Sequence, residues 1–219
     1  RPFRPKRRTR ATIAKEKGLE PFANEIMMQL TKEAVEKIAE KYIDAEKEVN
    51  TIEDAIEGAK DIIAEMVSDD ADYRALIRRL TFNEGLIVTK ATDEEAESVY
   101  EMYYDYSEPV KKIPGHRVLA INRGEKEKVL NVRLEAPTQN ILKAVENKII
   151  RDNKYTENVL KEAIEDSYKR LIAPAVEREI RNDITEKAEE SAIKVFGENL
   201  KQLLLQPPIK DKVVLALDP

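Results

Sequence analysis

The sequence has no cysteine and no tryptophan, and it contains a single histidine, His116. Without cysteine, neither a disulfide framework nor a thiolate metal site is available. One histidine excludes a site with several imidazole ligands. The acidic clusters at 69–72 and 94–97 could in principle bind a metal, but they are more typical of solvated first turns of helices. We therefore expect no metal and no cofactor. Only 5% of the 219 residues are aromatic and six are glycine, whereas 37% are charged. This composition favours a helical protein over a β-sandwich or barrel.

Long apolar runs and known catalytic motifs are also missing. No run approaches the length of a membrane-spanning helix, so we expect no membrane association. The sequence contains no phosphate-binding loop, dinucleotide-binding glycine pattern or zinc-protease motif. We therefore expect no catalytic residues and no enzyme activity in this chain by itself. The absence of cysteine suits a reducing compartment, and the cytoplasm is the predicted location.

Charge is distributed unevenly along the chain. The net charge is -5, yet residues 1–17 carry eight basic side chains against Glu16 alone. Residues 1–10 contain two prolines and no apolar periodicity, which predicts an extended basic arm. Such an arm favours either an anionic partner or an acidic face of the same molecule. The candidate nucleic-acid contacts are Lys6, Arg7, Arg8 and Arg10. The alternative partners are the acidic side chains Glu33, Glu36, Glu40, Glu46 and Glu48.

Helical periodicity dominates the rest of the sequence. Thr51 with Asp54, and Thr92 with Glu95, have the spacing of a capping box at a helix start. Gly18 is placed to end a first short helix in a left-handed conformation. Two short segments, residues 86–89 and 129–135, are strand candidates that would form at most a small β-ribbon. The predicted helices cover residues 12–17, 21–30, 31–42, 51–67, 70–82, 92–103, 137–150 and 156–172.

The strongest pattern is a row of apolar residues at steps of four between Pro174 and Pro207. Each step of four over-rotates by about 40° relative to 3.6 residues per turn, so the row winds around its helix. A long helix with such a row faces different neighbours along its length. The members of the row are Val176, Ile180, Ile184, Ala188, Ala192, Phe196, Leu200 and Leu204.

We accordingly predict an all-α, mainly helical fold with a long central helix near the C-terminus. The predicted divisions are a basic arm (1–10), an N-terminal helical domain with short strands (11–136), a helical region with the long helix (137–206), and a linker with a first strand (207–219). Val213 and Leu215 belong to an apolar run typical of a strand buried on both faces. Because such a strand needs neighbours, we expect this chain to be a piece of a longer protein, with Leu200, Leu203 and Leu204 exposed in it.

Residues 113–127 form a second candidate site around the single histidine. Pro114 and Gly115 predict a turn that leads into a helix near His116. Arg117 and Arg123 then have two interpretations. They either belong to a structural corner with neighbouring carboxylates, or they contact an anion or RNA.

An ordered set of short motifs resembles the bacterial Tex family of transcription accessory proteins. The motifs are Arg-Pro-Lys-Arg-Arg-Thr-Arg at 4–10, Gly-Leu-Glu-Pro at 18–21, Asp-Tyr-Ser-Glu-Pro at 105–109, Pro-Gly-His-Arg at 114–117 and Glu-Arg-Glu-Ile-Arg at 177–181. Members are multidomain proteins in which an N-terminal helical region precedes RNase H-like, helix-hairpin-helix and S1 RNA-binding domains.

The resemblance implies a non-catalytic helical scaffold that stops at the start of the RNase H-like domain. Its partners would be RNA or DNA, bound through the intact parent protein, and the transcription machinery. The resemblance also places Asp218 at the first carboxylate position of the RNase H-like domain. Two alternatives stay open: part of a metal-dependent nuclease that uses Asp218, and a nucleic-acid-binding module that acts through the basic arm.

Overall fold

The computed structural model describes residues 8–207 together with Val213 and Leu215. The chain is mainly helical, with one small sheet and a long helix near its C-terminal end, which confirms the predicted fold class. The predicted division into domains stays a prediction. The elements are α1 (Arg10–Glu16), α2 (Glu20–Met28), α3 (Val35–Ala39), α4 (Ile52–Asp69), α5 (Ala71–Glu84), β1 (Leu86–Ala91), β2 (Asp105–Pro109), α6 (Gly115–Lys126), β3 (Leu130–Glu135), α7 (Thr138–Ile149), α8 (Glu157–Asp166), a π-helical segment (Ser167–Ile172) and α9 (Ala173–Leu204).

Helix α4 lies at the centre of the packed core, against α1, α2, α3, α5, α8 and the π segment. Its start is fixed by the predicted capping box: Asp54 N–H donates to Thr51 Oγ1 at 3.0 Å, and Thr51 N–H donates to Asp54 Oδ2 at 3.0 Å. The small residues Ala55 and Ala59 are fully buried and let neighbouring helices approach closely. Gly18 follows α1 with a φ of 82°, which confirms the left-handed conformation predicted there.

The sheet has the order β2-β1-β3, and both pairings are antiparallel. Leu86 of β1 lies between Pro109 of β2 and Glu135 of β3. The strands β1 and β3 occupy the two predicted segments. Strand β2 was not predicted, because Asp, Glu and Pro are all depleted in strands. A proline is tolerated at Pro109 because β2 is an edge strand.

The helix predicted from Thr92 and Glu95 is wrong. This stretch forms turns, and only a single 3₁₀ turn, Glu101–Tyr103, follows it. Short polar side chains satisfy the backbone locally: Glu95 N–H donates to Asp93 Oδ1 at 3.0 Å, and Tyr100 N–H donates to Ser98 Oγ at 3.0 Å. Such bonds compete with helix formation.

The π segment joins α8 to α9 without a break. Pro174 has no N–H, and its ring would collide with the carbonyl four residues earlier in a regular α-helix. The backbone is wider here, since Ala173 N–H donates to the carbonyl of Tyr168 five residues back. The buried Ser167 hydroxyl donates to Ala64 O at 2.7 Å, which fixes the segment to α4. Proline therefore restarts the helix rather than ending it.

Helix α9 contains 32 residues and is about 48 Å long. Its first half packs on the π segment, α5 and α6, where Ile180 is fully buried and Ala188 is buried. In its second half Leu200, Leu203 and Leu204 are exposed, as predicted. The body of the protein therefore covers only one half of the predicted row.

A side chain of α9 also covers one edge of the sheet. Leu134 N–H, on β3, donates to Glu177 Oε1 at 3.1 Å. Because β3 has β1 on one side only, this N–H points away from the ladder. Glu177 therefore satisfies a backbone donor that the sheet itself leaves without a partner strand.

We expect Ile180→Ala to lower the free energy of unfolding of this chain by about 2–5 kcal/mol, because it removes a fully buried side chain and leaves a cavity. Ile193→Ala, on the same helix but 71% exposed, should change it by less than about 0.5 kcal/mol. Urea unfolding of both variants checks the difference. Equal effects would contradict the one-sided packing of α9.

Replacement of glycine by alanine should have opposite effects on stability at two positions inside helices. A Cβ at Gly58 of α4 would lie 2.3 Å from Leu19 Cδ1, whereas one at Gly197 of α9 would meet nothing within 4 Å. Gly58→Ala should therefore destabilise the chain by about 1–3 kcal/mol through overpacking. Gly197→Ala should stabilise it by about 0.5–1 kcal/mol through backbone entropy. Thermal unfolding measures both; the same sign for both would refute the packing described here.

Candidate functional site

The first candidate surface is the basic stretch that leads into α1. Lys6 and Arg7 lie outside the described residues, whereas Arg8 and Arg10 are exposed. Arg8 Nη2 lies 2.5 Å from Glu16 Oε2, and both side chains remain largely in solvent. Such an exposed ion pair contributes little to stability, so the guanidinium of Arg8 is available for exchange with another anion.

Three further contacts fasten α1 to the body. The Thr9 hydroxyl donates to Glu65 Oε1 at 2.9 Å, and Lys15 Nζ donates to Glu65 Oε2 at 3.1 Å. Lys17 Nζ lies 3.6 Å from a carboxylate oxygen of Glu48. Glu48 is one of the acidic residues predicted from sequence as partners of the basic stretch. Glu65 was not among them, because only the packing of α1 on α4 brings it close.

The second candidate surface surrounds Arg117, near the start of α6. Its Nη1 lies 3.0 Å from Glu108 Oε2 and 3.0 Å from the Tyr106 hydroxyl, and that hydroxyl donates to the same carboxylate. The guanidinium carbon also lies 5.8 Å from the centroid of the Tyr106 ring. This cluster connects β2 to α6, in agreement with the structural-corner interpretation.

The electrostatics of this cluster favour its ionised form. Burial alone raises the pKa of Glu108, but the Tyr106 hydroxyl and the Arg117 guanidinium outweigh burial and hold that pKa below its ordinary value. The hydrogen bond to Glu108 is in turn the main reason that the pKa of Arg117 is raised. The positive charge of Arg117 is therefore largely balanced by the carboxylate of Glu108 within the protein.

Arg123 lies on the same helix but in a different environment. It is exposed in the last turn of α6, where a positive charge is favoured by the helix dipole. It forms none of the ion pairs found between residues 8 and 207. Of the two arginines on α6, Arg123 is thus the one whose charge faces solvent.

The candidate residues do not converge on one site. Arg8 and Arg10 belong to α1 and its approach, which pack on α4. Arg117 and Arg123 belong to α6, which packs on α9 and β3. Arg117 and Arg123 also differ from each other, since one is paired and the other is solvent-facing. The exposed candidate arginines therefore lie in two separate places: Arg8 and Arg10 at the start of α1, and Arg123 at the end of α6.

Sequence reasoning missed the polar contacts between α6 and α9. Arg181 Nη1 donates to Glu125 Oε1 at 3.0 Å, and Asn122 Nδ2 donates to Thr185 Oγ1 at 2.8 Å. The hydrogen bond to Glu125 raises the pKa of Arg181 against the effect of burial. The two pairs span 56 and 63 residues of sequence, so no local spacing signal points to them.

The exposed half of α9, its second half, presents large apolar side chains to solvent. These are Ile193, Val195, Phe196, Leu200, Leu203 and Leu204, and Leu205 follows directly after the helix. Beside this half, a groove between α6 and α9 is lined by His116, Leu119, Val195 and Phe196.

In the part of the chain that the structure describes, no three acidic or histidine side chains are grouped to hold a metal ion. Across those same residues, the helices are too short or too polar to span a membrane.

The geometry thus defines a mainly helical body, cross-linked by ion pairs, from which one helix projects. A family model described as Tex central region-like matches residues 22–196. This chain belongs to the Tex family.

Three relatives extend the comparison. The chain is 52% identical over 223 residues to the uncharacterized protein YdcI of Bacillus subtilis, covering all of this chain and 31% of that protein. It is 33% identical to the transcriptional accessory protein Tex of Neisseria gonorrhoeae, covering all of this chain and 30% of the relative. It is 31% identical to the S1 RNA-binding domain-containing protein 1 of Pongo abelii, covering 79% of this chain and 19% of the relative. The chain therefore spans less than a third of each of these proteins.

Replacing Arg117 tests the cluster around Glu108. In Arg117→Gln, we expect the pKa of Glu108 to rise, because burial then loses its main opposing charge. A depressed pKa in the folded state stabilises the protein above the unfolded pKa of about 4.3, and that stability is lost as pH falls through the folded value. The difference in unfolding free energy between wild type and variant should therefore be largest near neutral pH and shrink in acid.

Carbon-detected NMR titration of the Glu108 carboxyl, with denaturant unfolding at several pH values, measures both effects. Arg123→Gln is the matched control on the same helix and should leave the pKa of Glu108 in place. An unchanged pKa in Arg117→Gln would contradict the cluster.

Proposed function

We propose that this chain is a non-catalytic helical scaffold within a transcription accessory protein that associates with nucleic acid. Its role is to hold α9 in a fixed direction, so that the rest of the protein is positioned relative to the body. RNA or DNA is bound by the intact protein, which works with the transcription machinery in the cytoplasm.

The observation that carries the proposal is the set of cross-links along the π segment and α9. Arg170 Nη2 contacts Asp61 of α4 at 3.0 Å, and Arg74 of α5 contacts Glu179 at 3.3 Å. Arg181 contacts Glu125 of α6. These pairs join α9 and the segment before it to three different helices, each distant in sequence. A helix that is fixed on several sides and projects beyond them is suited to a supporting role.

The nucleic-acid part of the proposal is supported by the relatives. One is named a transcriptional accessory protein, and another is named for an S1 RNA-binding domain. Because this chain spans less than a third of either protein, nucleic-acid binding is proposed for the full-length protein rather than for this region. Co-purification of RNA polymerase with the full-length protein tests the proposed link to the transcription machinery.

Two alternative functions would use different residues of the chain. A nucleic-acid-binding module would use Lys6, Arg7, Arg8 and Arg10, and the exposure of Arg8 and Arg10 favours it. A metal-dependent nuclease would use Asp218, which lies outside the described residues. Metal-dependent degradation of RNA or DNA by the full-length protein, abolished by Asp218→Asn, would establish the nuclease.

The decisive experiment replaces Lys6, Arg7, Arg8 and Arg10 together by alanine in the full-length protein. Fluorescence anisotropy then measures binding to labelled RNA and duplex DNA over a series of salt concentrations. The scaffold proposal expects binding by the full-length protein, with the same salt slope in the variant. If the arm contacts phosphates, three or four lost contacts should flatten the log-log slope on duplex DNA by about 3.

The matched control is Arg123→Ala, which removes an exposed positive charge from α6. A flatter slope in this control would identify α6 as the nucleic-acid-binding face. A full-length protein that binds neither RNA nor DNA at low salt would overturn the nucleic-acid part of the proposal.

A further inference from the structure

The exposed half of α9 has a residue pattern of its own. Ile193, Phe196, Leu200 and Leu203 are spaced by three, four and three residues, the spacing of apolar positions that pack against a second helix. We call these four residues the α9 seam. Ile193 is 71%, Phe196 67% and Leu203 61% exposed, so the described structure leaves most of the seam open to solvent. Only the Phe196 side adjoins α6.

A glycine adjoins the seam. Gly197 lies in the interior of α9, where glycine costs about 1 kcal/mol relative to alanine. Elsewhere in this protein a helical glycine has a visible reason: at Gly115 a Cβ would approach Ala188 to 3.2 Å. At Gly197 a Cβ would meet nothing within 4 Å. A position that needs no glycine in the described structure, beside uncovered apolar residues, is suited to the close approach of another helix.

The seam continues an interface that is already formed. Ile180, Ile184 and Ala188 pack into the body, and the same row at steps of four continues through Phe196 and Leu200. Each step turns the row by about 40°, so Leu200 faces about 120° away from Ala188. An additional helix on the seam therefore extends the core along α9, next to α6, whose His116 and Leu119 line a groove with Phe196.

The length of the seam and the family match favour an occupant from the same chain. The seam covers about one and a half heptads, too short for a stable pair of helices from two separate molecules. The family model ends at residue 196, inside α9, while the relatives are about three times longer than this chain. Tethering within one chain raises the effective concentration enough for such a short contact to form.

We propose that the α9 seam binds an apolar-faced helix from the part of the full-length protein beyond this chain, with Gly197 at the point of closest approach. This inference rests on the proposed scaffold function and names the surface through which the scaffold holds its neighbour. The occupant presents a large apolar side chain or its backbone to Gly197, and aliphatic side chains to Phe196 and Leu200.

Thiol labelling of the full-length protein tests the contact, because this region contributes no cysteine of its own. In a cysteine-free background, single cysteines are placed at Leu203 in the seam or at Gly197 beside it, and both are called seam cysteines. Glu198 and Gln202, on the opposite face of α9, provide matched controls. We expect the seam cysteines to react with a maleimide at least about tenfold more slowly than the controls in native protein, and equally fast in denaturant.

A second variant makes the test independent of the labelled position. Gly197→Leu introduces a bulky side chain where the described structure has open space, so folding of this region should be retained. In the full-length protein it should exclude the occupant and make a cysteine at position 203 react as fast as the controls. Glu198→Leu should leave that cysteine protected.

Equal labelling of seam and control cysteines in native protein would overturn the inference. Protection that disappears on dilution would also overturn it, because it would identify a second copy as the occupant. Nucleic-acid binding is measured separately. Loss of seam protection with binding intact refutes only this contact, whereas absence of binding with protection intact refutes only the nucleic-acid part of the proposed function.

Discussion

The arrangement of this protein depends on how the chain passes Pro174. A proline in a helix removes one backbone hydrogen bond and forces its ring against the preceding turn. Here the π segment provides the extra width, and Ser167 fixes that segment to α4 through the carbonyl of Ala64. Because the helix restarts instead of breaking, α8, the π segment and α9 form one continuous helical run from the core of the protein to the end of α9.

Helix α9 has two halves whose neighbours differ. The first half combines buried aliphatic residues such as Ile180 with ion pairs from Glu179 and Arg181. The second half keeps the apolar row but leaves most of it exposed, and only the N-terminal turn of α6 lies beside it. Steps of four residues produce this division, since they turn the row gradually around the helix. The same regularity that buries one end of the row therefore turns the other end of the row in a different direction.

Short-range sequence patterns predicted the ends of helices correctly where residues close in sequence determine the backbone conformation or bond the backbone groups. Thr51 and Asp54 cap α4, and Gly18 ends α1, because both effects act within a few residues. The prediction at Thr92 had the same spacing and was wrong, since Asp93 and Ser98 offered the backbone closer partners. No short-range sequence pattern could identify the ion-pair partner of Arg117. Glu108 becomes its neighbour only through β2, a strand whose composition argues against strand formation.

The bond between Glu177 and Leu134 has a consequence for how this protein meets other chains. An open edge of a sheet is a template on which a foreign strand can add, and such addition is one route to aggregation. On β3 the outward N–H of Leu134 is occupied by a carboxylate of α9. An incoming strand would have to displace that charged acceptor. Helix α9 therefore also protects the β3 edge of the sheet, at Leu134, against the addition of a foreign strand.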